Sequence, residues 1–252
     1  MTSLGFGIDI GGSGIKGAIV DLTTGTLAGD RIRIPTPQPS TPDAVADVVA
    51  ELVETFDWAG PVGVALPSVV KQGVTQTAAN VDKAWIGADA DELFAKRLGR
   101  DVEDIGVLND ADAAGIAEVH YGDERAAKGV VAFLTFGTGI GSALFVDGTL
   151  VPNTELGHIE VDGVDGETRA AASARDNEDL GYPEWSERVS RYLTVFENLL
   201  WPDLIVVGGG VSKKAGKWVP LLTVRTPIAV ASLQNHAGIV GAAVAANKGL
   251  AH

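Results

Sequence analysis

The segment NTELGHIEVDGVDGE gathers Glu155, His158, Glu160, Asp162, Asp165 and Glu167 into fifteen residues or fewer. Such a set of acceptors with one imidazole suits a metal ion or a polyhydroxylated ligand. The metal is the poorer match, because His158 is the one strong transition-metal ligand nearby and Asp/Glu clusters are often only solvated loops. His158 also reads as a structural histidine. A second candidate is VLNDADAAG, where Asn109 and Asp110 stand at the end of an apolar strand and the start of a helical pattern. Functional groups of α/β proteins concentrate at such edges. Helix capping accounts for at least one of Asn109, Asp110 and Asp112 without requiring all three.

Two glycine-rich stretches suit phosphate. In GFGIDIGGSGIKGAIVD, the glycines Gly12, Gly14 and Gly17 satisfy the G-x-G-x-x-G spacing of a dinucleotide loop. That loop must open a helix. Here strand-like IKGAIVD follows, and Thr23-Thr24-Gly25 breaks the chain soon after. The dinucleotide match is therefore a decoy, and the Gly-Lys-Ser/Thr of a P-loop is also missing. A sister unit recurs at FGTGIGSALF: Gly12, Ser13, Gly14, Ile15 and Ala18 match Gly137, Thr138, Gly139, Ile140 and Ala143. Two matched strand–turn–strand units predict two related lobes whose turns offer backbone N–H groups to a phosphate chain. A third glycine run, VVGGGVSKK, predicts a strand and a helix start where the amides of Gly208, Gly209 and Gly210, with Lys213 and Lys214, suit an anion.

The elements that must hold these residues alternate. Helices are expected over Asp43–Phe56, Asp89–Leu98 and His236–Lys248, and strands over PVGVALP, IGVLND and LIVVGGG. Pro183 opens a long amphipathic helix with Trp185, Val189, Tyr192, Phe196 and Leu200 on one stripe. This is an α/β pattern with mixed sheets. Trp85, Trp201 and Trp218 read as core or interface packing rather than sugar platforms.

Composition narrows the class. The chain has 252 residues, 46% of them apolar and 21% charged, as folded soluble proteins do. No apolar run reaches the ~18 residues of a membrane span, and the N-terminus lacks a signal-peptide pattern, so a cytoplasmic protein with no membrane partner is expected. The absence of cysteine excludes disulfides and thiolate zinc sites. A net charge of −14 argues against nucleic acid. Yet all acidic residues lie before Leu204, and Lys213, Lys214, Lys217, Arg225 and Lys248 follow it. That skew reads either as a chance distribution or as an electropositive patch for a phosphorylated ligand.

The ordered set DIGGSGIKGAIVD, LPSVV, AANVDKAW, LNDADAAG, LTFGTGIGSAL, ELGHIEVDG and VVGGGVSKK resembles the ROK-family sugar kinases from Ile8 to Lys214. The resemblance is nearer to the branch that phosphorylates glucose from inorganic polyphosphate and often from ATP. It implies a two-lobed actin-like (ribonuclease H-like) fold with an active-site cleft between the lobes. Residues 1–108 would form the small lobe, joined by helix 236–252, and 109–235 the large one. It further implies a homodimer, a magnesium requirement and Asp110 as catalytic base. Asn109, Glu155, His158 and Glu167 would meet sugar hydroxyls, with Asn80 a further candidate. The turns Gly11, Gly12, Ser13, Gly14 and Gly137, Thr138, Gly139, with Gly209, Gly210, Lys213 and Lys214, would meet the phosphate donor, and Asp9 would lie near the metal. Lys16 is either a donor contact or an exposed strand-edge lysine. Many family members follow E-x-G-H with a zinc-binding cysteine cluster; GETRAAASARDNED stands there instead, so no zinc is expected and His158 is left for sugar. The runner-up is a strictly ATP-dependent hexose kinase. A sugar-sensing DNA-binding regulator is disfavoured, since the glycine turn begins at Gly11 and the N-terminal region is acidic.

Overall fold

The structure is a computed structural model that describes residues 3–250. The chain divides into two compact units, one running to Ala117 and resuming at His236, the other spanning Glu118–Asn235. The first division falls inside a helix.

In the first unit, β1 (Leu4–Gly11) and β2 (Gly14–Asp21) form an antiparallel pair with Gly11 opposite Gly14, so Gly12 and Ser13 are the whole loop. β3 (Thr26–Leu27) and β4 (Ile32–Ile34) both pair with β2. β5 (Val62–Leu66) lies parallel to β1, and β6 (Ile105–Asn109) parallel to β5. The inner strands are buried on both faces, which is why VGVAL and IGVLN are continuous apolar runs instead of alternating ones.

Helix α1 (Pro42–Thr55) starts on the Thr41 hydroxyl, which accepts the Ala44 N–H, with Pro42 in the first turn. Helix α2 (Ala90–Leu98) is capped by Asp89 and stopped by Gly99 in the left-handed conformation. Val45, Val49 and Leu52 of α1, with Phe94 of α2 and Trp85, build the core on Phe6, Ile8 and Val64. Helix α3 (Asp110–Tyr121) follows β6 without a loop. The last helix, α5 (Ala237–Lys248), lies so close to the sheet that a Cβ on Gly7 or Gly63 would strike its backbone carbonyls, and one on Gly241 would strike Ala113.

The second unit repeats the scheme. β7 (Val130–Phe136), β8 (Ile140–Val146) and β9 (Thr149–Val151) are antiparallel neighbours, β10 (Leu204–Gly208) runs parallel to β7, and β11 (Ile228–Val230) parallel to β10. Strand orders β3-β2-β1-β5-β6 and β9-β8-β7-β10-β11 are thus the same arrangement in two copies, and the duplication read from the two glycine turns extends to whole sheets. The long helix α4 (Tyr182–Leu200) buries Trp185, Val189, Tyr192, Leu193 and Phe196 against Phe136, Ile205 and Val207.

Three expectations change. Trp85 and Trp218 are core, but Trp201 is 70% exposed beneath the Arg225 guanidinium, 4.0 Å from its ring. After Gly209 the chain enters a 3-10 segment, Gly210–Lys217, broken by non-helical dihedrals at Lys214, in place of an α-helix. The basic tail is no single patch: Lys213, Lys214 and Lys217 share that segment, Arg225 is engaged with Asn198 and Trp201, and Lys248 ends α5 in the other unit.

Candidate active site

The first glycine turn is tight for steric reasons, and neither Gly12 nor Gly14 has a positive φ. A Cβ on Gly12 would stand 3.0 Å from the Asn80 carbonyl oxygen, and one on Gly14 would fall on the Arg33 guanidinium. Arg33 Nη2 donates to the Ser13 carbonyl at 2.5 Å, and the Thr36 hydroxyl donates to the Gly11 carbonyl at 2.5 Å. Asn80 itself takes φ +60°, in the left-handed region that Asn tolerates better than most residues. Opposite each other on β1 and β2, Asp9 and Lys16 form an ion pair of 2.8 Å. Lys16 is therefore no edge lysine, since β2 is flanked by β1 and by β3 and β4, and its ammonium is matched by a carboxylate.

The β6–α3 junction follows from one residue. Asn109 Oδ1 accepts the N–H groups of Ala111 (2.8 Å) and Asp112 (3.1 Å), which caps α3, while its Nδ2 donates to the Ser68 carbonyl at 3.2 Å. Capping is thus the work of Asn109. Asp110 Oδ1 accepts from the Ala111 N–H at 2.9 Å, and the residue is half-buried.

In the second unit, the loop between β7 and β8 is Gly137-Thr138-Gly139. Ser173 N–H donates to the Gly137 carbonyl (3.0 Å) and the Ser173 hydroxyl to the Thr138 carbonyl (2.6 Å). On the other side Glu167 Oε2 accepts the Ile140 N–H at 2.9 Å, and a Cβ on Gly139 would fall on that carboxylate. Gly209, at φ +83° and ψ 177°, packs against the Phe136 backbone at the base of the turn. Beside the turn is a cavity of about 390 Å³ lined by Thr138, Ser173, Arg175, Tyr182, Gly210 and Lys214, among others. Lys214 reaches this cavity; Lys213 is exposed and does not line it. Arg175 lies 4.2 Å from the Tyr182 ring centroid, within cation–π range.

The acidic segment folds back on itself. Leu156–His158 forms a single 3-10 turn, held by the buried Ser142 hydroxyl, which accepts the Leu156 N–H, and by Tyr192 OH, which donates to the Leu156 carbonyl at 3.0 Å. Burial pushes the Tyr192 phenol up, so it stays a donor. Asp165, His158 and Glu167 come together: His158 Nδ1 lies 2.8 Å from Asp165 Oδ2 and 3.9 Å from Glu167 Oε1, and its Nε2 is 4.0 Å from Glu155. The hydrogen bond that Asp165 accepts from His158, with the negative charges of Glu167, Asp165 and Glu155, raises the His158 pKa. Partial burial, with Glu167 nearby, raises that of Glu155. Asp162 stands apart in a bidentate pair with Arg191, and Glu160 lies exposed on a short strand.

Arg33, Thr36, Ser173, Arg175 and Tyr182 were not legible as site residues. Arg33 alternates out of RIRI and has the charge that a phosphate requires, but nothing in the sequence ties it to the turn 20 residues away.

Both units therefore present the doubled sheet and the glycine turns of a sugar-kinase-like protein, and the ROK family model matches residues 5–183; the chain belongs to the ROK family. It is 58% identical over 241 residues to a polyphosphate glucokinase of Mycobacterium tuberculosis, covering 96% of this chain and 90% of that one. The crystal structure of an inorganic polyphosphate/ATP-glucomannokinase from Arthrobacter sp. strain KM superposes with a TM-score of 0.91 at 50% identity, over 98% of this chain and 99% of that one. A ROK family glucokinase from Streptomyces griseus, solved with glucose and AMPPNP, shares the fold at a TM-score of 0.81 and 22% identity, over 98% of this chain and all of that one. The fold is the two-lobed actin-like ATPase fold of these neighbours. Among the described residues, no helix is long and apolar enough to cross a membrane.

Proposed function

We propose that this chain transfers a phosphoryl group from inorganic polyphosphate, and also from ATP, to the 6-hydroxyl of glucose, giving glucose 6-phosphate. The observation that carries the reading is the 58% identity, over nearly the whole chain, to a polyphosphate glucokinase. The site chemistry agrees with it. Phosphoryl transfer passes through a loose transition state, so the protein mainly positions groups and offsets charge. In this reading Asp110 is the general base that accepts the proton of the attacking hydroxyl. Glu155, His158 and Glu167 bind sugar hydroxyls, His158 through Nε2 because Asp165 holds Nδ1. Asn109 adds its amide edge, its oxygen being spent on the cap, and Asn80 is a further sugar contact.

Donor phosphate is bound by backbone N–H groups of the turns Gly11–Gly14 and Gly137–Gly139; in the second unit Gly210 and Lys214 lie along the cavity, Gly209 lies at the base of the turn, and Lys213, a further donor contact, is exposed outside that lining. Lys16 acts mainly by setting Asp9. Magnesium suits Asp9: such ions take one or two carboxylates plus substrate phosphates. Asp9 Oδ2 is held by Lys16, and Gly238 leaves room beside Oδ1. When bound, the ion would neutralise charge on the donor phosphates.

The test is purified protein with glucose, magnesium and either donor, scored for glucose 6-phosphate; no product with either donor sinks the reading. Asp110→Asn is expected to lose about 10²–10⁴-fold in kcat while glucose still binds by calorimetry. Near-normal turnover would remove Asp110 from the base role.

A further inference from the structure

One carboxylate in the second unit belongs to two places at once. Glu167 Oε2 holds the N–H of Ile140, the first residue after the Gly137-Thr138-Gly139 turn, at 2.9 Å. Glu167 Oε1 faces His158 Nδ1 at 3.9 Å, in the cluster completed by Asp165 and Glu155. The opposite side of the turn is pinned by Ser173, through its N–H to Gly137 and its hydroxyl to Thr138. Glu167 is therefore the adjustable brace of the turn, and its other oxygen sits among the acceptors for sugar hydroxyls. Gly139 makes this possible, since any Cβ there would occupy the space of the carboxylate.

The geometry points to Glu167 as a positioning residue that couples acceptor and donor binding, so that sugar and phosphate chain each tighten the other. The inference rests on the reading above, in which sugar lies at His158 and donor phosphate at the turn. A sugar hydroxyl donating to Oε1 fixes the carboxylate, and with it the Ile140 amide and the exit of the turn. It also shares the negative charge that would otherwise face the incoming phosphate. The ligand that binds first bears the ordering cost, and the second binds to a turn already set. Linkage requires the effect to be reciprocal.

Calorimetry on the full chain with magnesium tests this, using polyphosphate and 6-deoxyglucose, a sugar with no hydroxyl to phosphorylate. In the wild type each ligand is expected to tighten the other by about fivefold or more, and by the same factor in both directions. Glu167→Gln keeps the shape but alters the link to sugar. Gly139→Ala displaces the carboxylate while leaving it intact. In both, the factor is expected to fall to within about twofold of one, whatever each variant's affinity for polyphosphate alone. Should Glu167→Gln lose sugar binding or fail to fold, Gly139→Ala decides. A factor of one in the wild type, or an undiminished factor in Gly139→Ala, overturns the coupling. Failure of the wild type to bind either ligand overturns the functional reading instead.

Discussion

The two glycine turns are equivalent in topology and opposite in how they are braced. At the first, two donors lean on turn carbonyls: the Thr36 hydroxyl on Gly11 and the Arg33 guanidinium on Ser13. At the second, Ser173 repeats the hydroxyl brace on Thr138, but the place of the guanidinium is taken by the carboxylate of Glu167 on an N–H. Of these two braces, one is a cation and the other an anion. An incoming phosphate is attracted by the first brace and repelled by the second, whatever the sugar is doing. The two turns share one topology, and the residues packed on them differ in charge: a guanidinium at the first, a carboxylate at the second.

The contrast can be broken most forcefully at the base of the second turn. Gly209 occupies a backbone region open almost only to glycine, with Phe136 against it. Gly209→Ala is expected to destabilise the chain by about 3 kcal/mol, read as a lower urea midpoint. Gly12→Ala, at ordinary φ, meets only Asn80, its carbonyl oxygen at 3.0 Å and its Cβ at 3.2 Å, and should cost under ~1 kcal/mol. Equal losses would mean that the turns are supported alike. Next, Arg33→Ala is expected to raise the donor KM about tenfold, the scale of a charged hydrogen bond, and to leave the glucose KM unchanged. Arg33→Lys should recover only part, since the planar fork is lost. A shift in glucose KM with no shift for donor would make Arg33 a clamp of the fold.

A subtler contrast concerns pH. His158 has a raised folded pKa, so the stability it contributes is fully present below its unfolded value near 6.5 and is lost as pH rises through the folded value. In the first unit the imidazole of His236 shifts the other way: burial, with the positive charge of Arg31, lowers its pKa. Asp165→Asn should move the His158 NMR titration downward and flatten that pH dependence. An unmoved midpoint would show that Asp165 does not hold the imidazole. The smallest effect is expected from Lys16→Met, at most ~1 kcal/mol in urea unfolding for a partly exposed pair. A larger loss would show that the first unit also depends on charge pairing.

What could be read along the chain was what local spacing controls. The duplicated strand–turn–strand units, the helix from Asp43 and the stripe from Trp185 to Leu200 all follow from neighbours within a few residues. The braces lie farther off: Arg33 is 20 residues from Ser13, Ser173 is 35 from Thr138, and Tyr192 is 36 from Leu156. No periodicity announces such a pairing. The glycines were legible as turn formers, but their cause was not. Gly12, Gly14 and Gly139 are small because Asn80, Arg33 and Glu167 stand where side chains would be, a fact of tertiary packing. Asn109 shows the reverse case, in which a residue read as either cap or ligand spends its oxygen on the cap.

The final helix, Ala237–Lys248, carries a consequence for how the molecule is made. It presses on strands formed by residues near the start of the chain, backbone against backbone at Gly7 and Gly63. On the ribosome, the sheet of the first unit must wait with that face bare until residues 237–248 have been made, while residues 118–235 form a continuous stretch that can fold earlier. The half translated first is thus finished last. A chain stopped after Asn235 should lose protease resistance first within residues 3–117, far in sequence from the cut.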